Sequence, residues 1–215
     1  MAFTHQIYVS KNCLDLRLGT PVVNTGDREI TSVAVFCASS FGNQPNFADL
    51  ATDLGKCLAL AGITVVFGGS DVGLMGAVAN GAISENGYVV GIYPEKTFSH
   101  DVRHGGKVDL RIVSSMHERK ALMYELSDAV IALPGGYGTL DEVAEVLAWT
   151  QLGLHHLPVV LLDTGKFWDK FLEFLDHGIS VGVLSEDSRR LLSRASDPES
   201  ALQQLRNLSS RALEE

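Results

Sequence analysis

The sequence predicts a doubly wound α/β fold, a parallel sheet with helices on both faces in a single domain. Three observations carry this. From about residue 32, short apolar runs rich in β-branched residues alternate with helical patterns. Those runs are continuous rather than alternating, as in strands buried on both faces. The richest glycine turn, Pro134-Gly135-Gly136-Tyr137-Gly138-Thr139, lies between one such run and a helical pattern, where this class binds ligands.

Taken in order, the first predicted strand is 32–37, Ser-Val-Ala-Val-Phe-Cys, followed by a helix over 47–61 that stops at Ala61-Gly62. A second strand over 63–67 leads to a helix over 74–85 that ends at Asn86-Gly87. Residues 88–93 and 110–113 are the third and fourth strands, and a helix over 116–126 opens at Ser115-x-x-Glu118, a capping-box spacing. The fifth strand, 129–133, precedes the glycine turn and a helix over 140–152. The sixth, 158–162, precedes a helix over 167–178, and Asp197-Pro198 starts a last helix. The first 30 residues fall outside this rhythm and form an N-terminal arm, with residues 31–215 as the folded domain.

At 215 residues the chain is long enough for one substantial core, and 46% hydrophobic with 20% charged residues is ordinary for a globular protein. A net charge of −9 argues against nucleic acid as partner, since that affinity rests on basic contacts to phosphate. Any anionic ligand must therefore be drawn in locally, by backbone amides and a few placed cations. Cys13, Cys37 and Cys57 are odd in number, with no Cys-x-x-Cys spacing, which fits reduced thiols better than a disulfide framework or zinc site. No apolar stretch is long enough to span a bilayer and no signal-peptide pattern opens the chain, so a cytoplasmic location without membrane partners is expected.

In a parallel sheet the carboxyl ends of all strands open on one rim. Four segments converge there: Ala38-Ser39-Ser40, Gly68-Gly69-Ser70-Asp71, the segment from Ser115 to Lys120, and Gly135 to Thr139. The last is an anion cradle, in which glycines admit the ligand and a helix N-terminus points free N–H groups at it. Arg119 offers a planar fork for phosphate oxygens, Lys120 a point charge, and Glu142 a carboxylate one turn into the next helix. Thr139-x-x-Glu142 also has capping-box spacing, so a purely structural use of Glu142 stands beside the chemical one. Met116 and Met123 flank Arg119 and read as core filler or as groups beside a base. The helix after the glycine turn carries Leu140, Val143, Ala144 and Leu147 on a core stripe. A second face with Glu142, Glu145, Val146, Trp149 and Leu152 is expected to meet another subunit.

The pair Ser-Met-His-Glu-Arg-Lys (115–120) and Pro-Gly-Gly-Tyr-Gly-Thr-Leu-Asp-Glu (134–142) resembles the double signature of the Lonely Guy (LOG) family, the cytokinin riboside 5′-monophosphate phosphoribohydrolases often mislabelled lysine decarboxylases. Residues 36–40, 68–76 and 149–153 are similar to its other blocks, and the resemblance spans roughly 32–180. It implies a Rossmann-like homodimer, or an assembly of dimers, that releases free base and ribose 5-phosphate from cytokinin riboside 5′-monophosphates or AMP, with no metal or organic cofactor. The family's essential arginine and glutamate fall on Arg119 and Glu142, its phosphate loop on Gly135, Gly136, Tyr137, Gly138 and Thr139, and its second basic residue on Lys120. Ser39, Gly69, Met116 and Glu145 lie in or beside the matching blocks as further substrate contacts, and an acidic contact falls on Asp101. Ala38, Ser70 and Ala148 depart from the family pattern and bear on base selectivity.

A non-catalytic nucleotide carrier on the same fold would share the glycine loop without needing both Arg119 and Glu142. A dinucleotide oxidoreductase would need Gly-x-Gly-x-x-Gly after the first strand, which Phe36 to Gly42 does not supply. Nothing marks a pyridoxal-phosphate lysine.

Overall fold

The computed structural model describes residues 29–95 and 102–211, without the side chains of 210 and 211. The expected arm therefore lies almost wholly outside the described residues, as does Asp101. The described strands are β1 (Ser32–Phe36), β2 (Thr64–Phe67), β3 (Val89–Pro94), β4 (Asp109–Val113), β5 (Ala129–Ala132), β6 (Val159–Leu162) and β7 (Leu192–Ala195). They form one sheet in the order β4-β3-β2-β1-β5-β6-β7, with every pair parallel. β3, β5 and β6 are buried along their whole length, and β1 and β2 are buried after a half-buried first residue, as continuous apolar runs require.

The helices are α1 (Asn46–Leu60), α2 (Gly73–Ser84), α3 (Met116–Glu125), α4 (Tyr137–Gln151), α5 (Asp169–Ser180), α6 (Glu186–Arg190) and α7 (Pro198–Arg211). One core layer joins α1, α2 and α7 to one sheet face, through Leu54, Leu58, Val78 and Leu205. The other lies under α3 and α4 and includes Met123, Tyr124, Val143, Val146 and Trp168. Burying this apolar surface is the main favourable term in folding. Packing of α1 on α2 depends on glycine. A Cβ at Gly55 would run into the backbone carbonyl of Val78, and one at Gly81 into that of Thr52, so the two helix backbones meet without side chains between them.

The order reverses at β1, which pairs with β2 on one side and β5 on the other. This is the topological switch point of a doubly wound sheet, where a crevice opens outside the strand ends. Two elements depart from the sequence reading. β7 and α6 were not anticipated, because Leu-Ser-Arg-Ala has no apolar run and α6 is barely more than one turn. In addition, α4 begins at Tyr137, three residues before the expected start, inside the glycine turn itself.

Candidate active site

A cavity of about 570 Å³ opens at this switch point. Its floor is the end of β1 and the residue after it, Val35 to Cys37, and its rim is Ser39 and Ser40 on one side and Gly136 to Thr139 on the other. The helical position of Thr139 settles the capping question. The N-cap of α4 is Gly136, which has no side-chain cap bond, and Thr139 is buried inside the first turn with its side chain packed on Gly135. Glu142 does not reach back to a cap. By contrast, Ser115-x-x-Glu118 caps α3: Ser115 Oγ accepts from the Glu118 N–H at 3.1 Å, and the Glu118 carboxylate returns to the N–H and hydroxyl of Ser114.

Glu142 turns into the cavity and meets Arg119. Arg119 Nη1 donates to Glu142 Oε1 at 3.2 Å, and both residues are only 8% exposed. Arg119 Nε donates to the carbonyl of Ile92 at 3.1 Å, so β3 orients the guanidinium from behind. The guanidinium lies where a side chain at position 68 would be, which makes Gly68 a condition of the arginine's seat. Burial pushes the Glu142 carboxyl from near 4.5 up to about 7, against the opposing pull of Arg119. Burial also raises the Cys37 thiol on the cavity floor far above its ordinary range, and the Glu142 charge adds to the effect. That thiol is protonated and unreactive at neutral pH.

Of the sequence-predicted residues, the structure brings Arg119, Glu142, Ser39, Gly136, Tyr137, Gly138 and Thr139 to the cavity wall. Others lie off it. Gly135 sits beneath Thr139, and Gly69 packs against Tyr93 and Leu110 behind the rim. Met116 is exposed at the start of α3. Lys120 and Glu145 bond to each other at 3.0 Å on the outer side of the helix pair. Asp101 is outside the described residues. Four wall positions carried little signal in the sequence: Val72, Met75 and Val102, which line an apolar side, and Met123, which serves cavity and core together. Val102 arrives with a short antiparallel bridge between Ser70 and Arg103.

The expected division of α4 into faces is also corrected. Val146 and Glu142, assigned to a partner-facing side, are buried within the chain, whereas Ala144, assigned to the core, is exposed. Glu142 is buried against Arg119, on the same side of α4 as Val143 and Val146. The side left open runs from Tyr137, 93% exposed, past Ala144 and Ala148 to Leu152.

Comparison with known proteins identifies the family. A family model described as possible lysine decarboxylase matches residues 75–205. The chain is 44% identical over 163 residues to the cytokinin riboside 5′-monophosphate phosphoribohydrolase LOG of Oryza sativa subsp. japonica, spanning 76% of this chain and 67% of that one. It is 41% identical over 177 residues to the cytokinin riboside 5′-monophosphate phosphoribohydrolase of Rhodococcoides fascians, spanning 82% and 89%. Among solved structures, the molybdenum cofactor binding protein from Rippkaea orientalis superposes with a TM-score of 0.62 at 26% identity, covering 84% of this chain and 98% of that one. The molybdenum cofactor carrier protein of Chlamydomonas reinhardtii, at 24% identity and a TM-score of 0.61 over 84% and 98%, shares the fold. With a matching family model over more than half its length and relatives above 40% identity over most of it, this chain belongs to the LOG family of phosphoribohydrolase enzymes.

Proposed function

We propose that the chain hydrolyses the N-glycosidic bond of a cytokinin riboside 5′-monophosphate or of AMP, releasing free base and ribose 5-phosphate. The observation that carries this is the buried Arg119–Glu142 pair, set across one cavity from the amides at the start of α4. Those N–H groups have no intrahelical partner and suit a phosphate dianion. With the 5′-phosphate held there, its binding energy positions the sugar over the carboxylate.

Cleavage builds positive charge on the ribose and leaves the electron pair of the broken C–N bond on the base. The Glu142 carboxylate stabilises that positive centre and takes a proton from the attacking water, whose hydroxyl goes to C1′; the departing base takes up a proton. Arg119 holds phosphate or ribose oxygens with the N–H groups that it does not give to Glu142 and Ile92. The apolar wall of Val72, Met75 and Val102 suits a flat base. Incubation with AMP and with a prenylated riboside monophosphate, followed by chromatography, tests the reading: free base and ribose 5-phosphate are expected in equal amounts. Saturable binding of either nucleotide without products would instead favour a carrier, a reading that the likeness to the molybdenum cofactor binding protein keeps in view.

We also place a second copy of the chain against the open side of α4, where Tyr137, Leu152 and Leu154 leave an apolar stripe beside the cavity mouth. Sedimentation equilibrium should give twice the single-chain mass. A single-chain mass at micromolar concentration would remove that placement.

A further inference from the structure

Outside the cavity, α3 and α4 are joined a second time. Lys120 Nζ donates to Asp141 Oδ2 at 2.9 Å and to Glu145 Oε1 at 3.0 Å, and Tyr124 Oη donates to Glu145 Oε2 at 2.7 Å. Lys120 and Tyr124 are four apart on α3, and Asp141 and Glu145 are four apart on α4, so each pair projects from one helix face. The stagger is a single residue from the inner pair: Arg119 precedes Lys120, and Glu142 follows Asp141. Lys120 is 7% exposed and lies off the cavity wall, with its ammonium committed to two carboxylates. Of the two links the one to Glu145 is the stronger, since Asp141 is largely solvent-exposed and its attraction is screened.

We propose that Lys120 and Tyr124 are positioning residues, gripping Asp141 and Glu145 so as to set the spacing and charge balance of the Arg119–Glu142 pair, and that phosphate is left to the start of α4. The proposal rests on Glu142 as the base. A lysine so enclosed stays charged: burial opposes its charge, but the hydrogen bonds it donates to Asp141 and Glu145 outweigh that. The groups around the Glu142 carboxyl are Arg119, Lys120 and Tyr124 from α3, Asp141 and Glu145 from α4, and the Cys37 thiol from the end of β1. Lys120 draws the Glu142 titration down and Asp141 draws it up, though burial is the larger cause. Substitutions at the two positions must therefore move it in opposite directions.

The experiment uses Lys120→Met, Tyr124→Phe and Asp141→Asn, with kcat and KM for AMP, affinity for ribose 5-phosphate, and an NMR titration of the Glu142 carboxyl carbon. Lys120→Met should lower kcat by at least tenfold, within the roughly 10²-fold that a misplacement near 1 Å can cause. KM and ribose 5-phosphate affinity should stay within about twofold. Tyr124→Phe, which alters no charge, should lower kcat by a smaller factor with KM unchanged. The Glu142 midpoint should rise in Lys120→Met and fall in Asp141→Asn. A Lys120→Met enzyme with normal kcat and a tenfold weaker hold on ribose 5-phosphate would overturn the proposal and make Lys120 a phosphate ligand. Should Lys120→Met not fold, Asp141→Asn at its exposed position decides, and an unmoved midpoint there overturns the proposal. The titration reads without turnover, so an unaltered chain inactive on AMP would count against the proposed reaction and not against the clamp.

Discussion

Glu142→Gln should lower kcat by about 10²–10⁴-fold, the usual worth of a positioned general base, while binding of ribose 5-phosphate changes little. Glu142 caps no helix, so any stability change in that variant comes from its buried contact with Arg119, and a urea titration at the assay pH separates it from the loss of turnover. The pH dependence gives a second signature. With the carboxyl titrating at about 7, the basic form accumulates as pH rises, and kcat/KM of the unaltered enzyme should climb through that range. The Gln variant should lose this limb. Stability runs the other way. Between the ordinary value near 4.5 and about 7, the folded chain holds a proton at Glu142 that the unfolded chain has released, so this group's contribution to stability falls as pH rises. The fall is on the order of 3 kcal/mol. Urea titrations of both proteins at pH 5 and pH 8 should show the difference; identical slopes would mean that the carboxyl is not buried in solution.

Arg119→Ala is the other large effect. Loss of a charge-stabilising donor costs on the order of 2–4 kcal/mol in kcat/KM. Where Gln at 142 still offers Arg119 an acceptor, Ala at 119 leaves the buried carboxyl with no donor from the guanidinium, and breaking a buried ion pair costs about 3–5 kcal/mol of stability where the remaining group is charged. Glu142 can escape by staying protonated, since Arg119 is what holds its titration down. The stability loss should therefore be larger at pH 8 than at pH 6, and the carboxyl midpoint should rise. Normal kcat/KM in this variant would take Arg119 out of the site.

Much of this was legible in the residues. Six strands announced themselves as apolar runs, because a parallel sheet covered on both faces demands them, and the rim segments followed from topology. β7 escaped because an edge strand such as Leu192–Ala195 can carry Ser193 and Arg194 without cost. Equal spacings also hid unequal roles. Ser115-x-x-Glu118 and Thr139-x-x-Glu142 look alike, yet only the first caps a helix, since α4 already starts at Tyr137, which places Thr139 inside its first turn against Gly135 and Glu142 at the cavity. The faces of α4 were misread for a related reason: composition ranks alanine above glutamate for burial, and only the arginine on a neighbouring helix reverses that order. Val102 was missed although the family resemblance put a contact on its neighbour Asp101, because the bridge that carries it back to Ser70 leaves no pattern in the residues.

The place of β1 between β2 and β5 has a consequence for how the chain responds to its ligand. The pocket walls come from both halves of the polypeptide, which meet along that one central strand, so neither half owns a binding site in isolation. A nucleotide lodged there would act as a fastener across the seam. It would engage only the assembled form, so that its affinity would add to the cohesion of the entire molecule and not to one loop.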